Sequence, residues 1–88
     1  MLSISQYNLD KVEDLVENLG YKVRYEKGNF KTGACVLQHT KVIVVNKFST
    51  LEIKINALVQ LVREFEVARE MLDDKQWQFY KSLLKEDK

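Results

Sequence analysis

The stretch Ser49-Thr-Leu-Glu-Ile-Lys-Ile-Asn-Ala-Leu-Val-Gln-Leu-Val-Arg-Glu-Phe-Glu-Val-Ala-Arg-Glu-Met-Leu72 is the longest in this 88-residue chain whose apolar residues keep a helical period. Leu51, Ile55, Leu58, Leu61, Val62, Phe65, Ala68, Met71 and Leu72 form one stripe along it. The start is well marked: Ser49 is placed to cap the first amides, Glu52 to complete a capping box, and Phe48 to pack against Ile53 as a staple. An unbroken helix of this span is about 34 Å long, which exceeds what a sheet of a few short strands covers. The half from Phe65 to Leu72 therefore requires a partner of its own.

Upstream of this helix the pattern is that of strands. Val42-Ile43-Val44-Val45 is apolar without alternation, so the strand Lys41 to Val45 belongs in the middle of its sheet or under a second covering layer. Ala34 to Leu37 reads as the strand before it, with Gln38-His39-Thr40 as a tight connection. In Tyr21 to Glu26 the apolar Tyr21, Val23 and Tyr25 alternate with Lys22, Arg24 and Glu26, as in a half-buried strand, and Lys27-Gly28-Asn29 makes the turn that follows. Further upstream, Leu9, Val12, Leu15, Val16 and Leu19 fall on one helical face, with Asn8 placed to cap and Gly20 to terminate. Leu2, Ile4 and Tyr7 are placed to lie over the edge of a core.

Downstream, Asp73-Asp74 provides a break and a new cap, after which Trp77, Tyr80, Leu83 and Leu84 form the stripe of a short last helix. The final Lys85-Glu86-Asp87-Lys88 is expected to fray. The fold expected is a single α+β domain over residues 1–88: helix, three-stranded antiparallel sheet, long helix, short C-terminal helix.

Composition restricts what such a domain does. With 45% hydrophobic and 31% charged residues the chain has the balance of an ordinary globular protein. It offers no membrane span, and its N-terminus has neither the basic start nor the apolar centre of a signal peptide, so a cytoplasmic location is expected. The one cysteine, Cys35, allows no internal disulfide and no Cys-rich zinc module. Cys35 lies between Ala34 and Val36 as a small hydrophobe, and the one histidine, His39, sits in a turn without a second ligand near it. A Cys35–His39 nucleophile and base across the hairpin is the minor alternative to these readings. Neither a catalytic residue, a metal ligand nor a cofactor site is assigned.

The net charge of +1 is unevenly distributed. Lys22, Arg24, Lys27, Lys31, Lys41 and Lys47 make the middle of the chain basic, whereas Asp10, Glu13, Asp14 and Glu17 make the first helix acidic. Lys22, Arg24, Lys31 and Lys41 are the candidate contacts to nucleic acid, although the Tyr-x-Val-x-Tyr spacing puts the nearby aromatics on the opposite face. The run Lys27 to Gly33 lacks the Gly-Lys-Ser/Thr ending before a helix that a phosphate loop requires, and it leads into a strand. Asn56 and Gln60, one turn apart on the long helix, are expected to face solvent.

The order of helix, small sheet, a strand ending in Val44-Val45-Asn46, a short loop and a capped helix resembles the N-terminal part of the minimal zincin metallopeptidases of the ImmA type. In those proteins the corresponding helix carries H-E-x-x-H, two zinc-binding histidines on one face with a glutamate as general base. The overlay puts Ala57-Leu58-Val59-Gln60-Leu61-Val62-Arg63 on that motif. Val59 and Arg63 then occupy the histidine positions and Gln60 the glutamate position, so the resemblance implies a zincin-like scaffold without hydrolysis.

The function expected first is that of a non-enzymatic protein working through protein–protein contacts, self-associating as a homodimer. The surplus length of the long helix and the aromatic last helix nominate Phe65, Met71, Leu72, Trp77, Tyr80 and Leu84 as its interface. A nucleic-acid-associated module using the basic residues is the alternative, and an inactive zincin-like scaffold the third reading.

Overall fold

A computed structural model describes residues 3–37 and 39–85, with 35–37 described for their backbone only. Met1, Leu2, Gln38 and Glu86 to Lys88, to which the sequence assigned an edge position, a turn and a frayed end, lie outside the described residues. The elements are helix α1 (Gln6–Asn18), strands β1 (Tyr21–Glu26), β2 (Gly33–Leu37) and β3 (Thr40–Asn46), helix α2 (Leu51–Glu64), one 3-10 turn (Arg69–Met71) and helix α3 (Asp74–Leu84). This is the α+β order expected.

Helix α1 starts three residues earlier than a cap at Asn8 implies. Ser5 is the cap, its hydroxyl accepting from the amide of Asn8, while the Asn8 side chain reaches back to the carbonyl of Ser3. At the other end Gly20 takes a φ of +98°, a left-handed conformation that strains any residue with a Cβ, and this is why the helix stops there. Leu9, Val12, Leu15 and Val16 are buried as the stripe requires.

The sheet has the order β1-β3-β2. The apolar strand β3 is therefore central, as its lack of alternation demands. The sheet is mixed and not antiparallel throughout: β2 and β3 form a hairpin, but β1 runs parallel to β3 with Tyr21 opposite Lys41 and Glu26 opposite Asn46. The reason lies in the connection between β1 and β2. Instead of turning tightly to pair its flanking strands, it crosses the end of β3, leaving room for β3 between them. Asn46 holds it there. Its side-chain amide donates to the carbonyls of Gly28 (2.9 Å) and Phe30 (2.7 Å), and its backbone amide donates to the hydroxyl of Thr32 (3.2 Å).

One sheet face is covered by the helices. Ile43 and Val45 join Leu9, Val12, Leu15, Val16, Leu19, Ile55, Leu58 and Val62 in a common core, with Tyr21 and Val23 packed against it. The opposite face carries Lys22 and Arg24 beside Val42 and Val44.

Helix α2 departs from the sequence reading at both ends. The cap is Thr50, not Ser49, with the Thr50 hydroxyl accepting from the amide of Ile53 (3.2 Å). Ser49 instead donates its amide to the carbonyl of Asn46. The shift separates Phe48 from a staple position, and Phe48 and Ile53 are 70% and 54% exposed. At the far end α2 stops at Glu64, and Phe65 turns to extended backbone (φ −78°, ψ 148°) to stack on Tyr21 of β1, centroids 4.3 Å apart and rings 6° from parallel. Glu64 and Glu66 add to the break, since carboxylates meet the negative end of the helix dipole.

The chain then folds back. Asp73 caps α3 through the amide of Gln76, and Leu72, Tyr80 and Leu83 enter the same core. The surplus helical length that called for an external partner does not exist. Among the described residues no helix is long and apolar enough to cross a membrane.

Candidate functional site

The residues nominated from sequence are distributed by the fold into several places. Of the six interface candidates, Leu72 and Tyr80 are buried, and Phe65 and Trp77 are half-buried against the core. Trp77 packs on Tyr80 at 5.3 Å, with the Arg69 guanidinium 5.3 Å from its ring. Only Met71 and Leu84 are left largely exposed, at 40% and 41%.

The four basic candidates are likewise separated. Lys22 and Arg24 occupy the open sheet face, where Arg24 is paired with Glu26 at 2.8 Å. Lys41, by its register opposite Tyr21, belongs to the helix side, with its ammonium 5.4 Å from the Tyr21 ring. Lys31 is in the crossing loop.

At the positions matched to the zincin motif, α2 holds structural groups. Val59 packs against the core and Gln60 is exposed. Arg63 reaches across to α3, donating from Nε to the carbonyl of Leu83 (2.8 Å) and from Nη2 to that of Lys85 (3.1 Å). A cation here satisfies carbonyls left free at a helix C-terminus and meets the negative end of its dipole. No group of three or more His, Cys, Asp or Glu side chains among the described residues is arranged to hold a metal ion. His39 stands exposed in the hairpin turn with a φ of +71°. The side chain of its suggested partner, Cys35, lies outside the described part.

Among the described residues, two concave surfaces bear on a site. The first is a cleft of about 250 Å³ between α1 and α3, lined by Tyr7, Lys11, Asp14, Lys75, Gln76 and Phe79. Its position follows from α3 folding back: Trp77 and Tyr80 turn to the core, which leaves Phe79 toward α1. The Lys11 ammonium lies between two rings, 4.4 Å from the centroid of Phe79 and 5.5 Å from that of Tyr7. Tyr7 is 71% exposed.

The second is an open hollow of about 420 Å³ at the end of the sheet, lined by Gly28, Asn29, Phe30, Lys31, Asn46, Phe48 and Ser49. It is built around Asn46, which is almost fully buried. Besides its bonds to the crossing loop, Asn46 accepts at Oδ1 from the amide of Phe48 (3.0 Å), so one side chain fixes both walls. At Gly28 a Cβ would stand 3.0 Å from the Phe30 ring, and its absence lets that ring lie against the backbone.

Sequence reasoning missed Tyr7, Phe79, Phe30 and Phe48 as site residues. For the hollow a signal was present, since Lys27, Phe30 and Lys31 in one loop and Lys47 and Phe48 in the other alternate charge with aromatic rings. That these loops meet is a consequence of the crossing connection, which local periodicity does not encode.

No protein-family model, curated protein or solved structure matches the chain.

Proposed function

We propose that this chain is a non-enzymatic protein that acts through protein contacts, self-associating through the cleft between α1 and α3. The observation that carries the reading is the cleft itself, where a Tyr7 ring that is 71% exposed stands beside Phe79. Aromatic rings in a concave, partly desolvated setting carry much of the energy of protein interfaces. The charges fit a second copy as partner: Lys11 and Lys75 share the cleft with Asp14, so two copies related by a two-fold axis present cations to carboxylates in both directions.

Sedimentation equilibrium tests this. The expected mass is twice that of the monomer, reduced to one by Tyr7→Glu, a substitution at an exposed site that leaves the core untouched. A dimer that survives Tyr7→Glu but is lost in Leu84→Glu would move the contact to the end of α3. A monomer at high micromolar concentration would remove self-association altogether.

The zincin-like outline is compatible with this reading as a scaffold whose helix serves packing. Arg63 supports it, because the group at the second histidine position is bound to α3 carbonyls. Stoichiometric zinc binding by the native chain, measured by titration against a chelating dye, would contradict it.

A further inference from the structure

We propose that the hollow at the end of the sheet binds single-stranded nucleic acid, with an unpaired base stacking on Phe48 and the flanking phosphates meeting Lys27, Lys31 and Lys47. The site is separate from the α1–α3 cleft, so the proposal stands or falls independently of self-association.

Three observations bring these roles together. Phe48 is 70% and Phe30 37% exposed, and both line the hollow, so two rings stand on one concave surface. Lys31 is part of the lining, while Lys27 and Lys47 are exposed and adjoin the lining residues Gly28 and Phe48 in the chain. Among the described residues no carboxylate lines the hollow: Glu26, at the end of β1, is paired with Arg24, and Glu52 lies outside the lining in the first turn of α2.

Rings interleaved with lysines are what a single strand requires, because every base has a face to stack and every phosphate a charge to neutralise. Stacking on the Phe48 ring requires a base whose face is free, as in an unpaired strand. Asn46 supplies no recognition of its own, since its side-chain donors and acceptor are engaged within the fold. Asn29 and Ser49 are the lining side chains left to meet a base edge. Sequence tolerance follows.

This placement differs from a site on Lys22, Arg24, Lys31 and Lys41. Only Lys31 is common to both, and among the described residues the sheet face that carries Lys22 and Arg24 presents no exposed ring to stack a base.

Fluorescence anisotropy with labelled oligouridylate and oligodeoxythymidylate of about ten nucleotides tests the proposal on the intact chain. Binding at low salt is expected, with log K falling against log salt at a slope of about −2 for three phosphate contacts to a single strand. Phe48→Ala should weaken binding about tenfold, and Phe48→Tyr should retain it. Charge reversal at Lys31 and Lys47 should abolish it. Because Phe48 is exposed, Phe48→Ala should keep the circular dichroism spectrum and melting temperature of the parent.

A flat titration at low salt overturns the proposal, as does an affinity unchanged in a folded Phe48→Ala. It is also overturned if Lys22→Glu and Arg24→Glu abolish binding while the hollow variants do not. Polyglutamate competing as well as the oligonucleotide at equal charge would assign the lysines to acidic polypeptides instead.

Discussion

Asn46 is the residue on which the most backbone depends. It lies at the end of the central strand with 9% of its surface exposed, and its side chain bonds the crossing loop through two carbonyls and the β3–α2 loop through one amide. Removing this side chain takes a bond from both loops at once and leaves them the backbone bonds of Asn46 to Thr32 and Ser49 and of Lys47 to Glu26. Asn46→Ala is expected to cost about 1–3 kcal/mol, since buried groups lose their partners and the neighbouring hollow gives water partial access to them. Asn46→Asp discriminates between shape and chemistry. The carboxylate matches the amide in size but points an oxygen at the carbonyls of Gly28 and Phe30, and it is expected to be the worse substitution at neutral pH. Urea denaturation of both variants checks this, and an Asp variant as stable as the parent would show that the two carbonyl bonds contribute nothing.

At the scale of elements, the interaction of α2 with α3 replaces the single long helix that periodicity suggested. The apolar stripe does continue in helical register through Phe65, Ala68, Met71 and Leu72. What ends the helix is distant in sequence: the Tyr21 ring that receives Phe65, and the core space that receives Leu72, Tyr80 and Leu83 once the chain turns back. Local signals were legible where their causes are local. Gly20 ends α1, Asp73 caps α3, and the unbroken apolar run of β3 places it at the centre. The parallel pairing of β1 was not legible, because alternation reports which face a side chain takes and not the direction of its neighbour. For the same reason Lys22, Arg24, Lys31 and Lys41 read as a common surface although the fold separates them. Arg63 is the bond between the two helices that can be tested alone. Arg63→Met keeps the aliphatic packing and deletes the two guanidinium bonds, with an expected loss of about 1–2 kcal/mol. Amide exchange should accelerate in the last turn of α3, and unaltered protection there would mean that core packing by Tyr80 and Leu83 holds the helix without Arg63.

For the whole molecule, the acidic face of α1 is brought against the sheet, where the Glu13 carboxylate meets the Tyr25 hydroxyl. Glu13 reports the acidic side. Burial pushes its carboxyl above the ordinary glutamate value, and Asp10, Glu17 and Asp14 push in the same direction, while Lys54 opposes them. The Tyr25 hydroxyl donates to the Glu13 carboxylate. An acid whose folded pKa is raised binds its proton more tightly in the folded state than in the unfolded chain. Its contribution to stability is therefore complete below the ordinary value of about 4.3 and falls as pH rises from there through the folded value. At neutral pH the folded protein carries the carboxylate in an unfavourable place. Glu13→Gln keeps an acceptor for Tyr25 and removes the charge, so it should stabilise the protein at neutral pH. Measured as urea midpoints between about pH 4 and pH 7, the parent should lose more stability across the interval than the variant. Parallel curves would assign the pH dependence to other groups, and a variant less stable at pH 7 would mean that the charged bond to Tyr25 outweighs the repulsion within α1.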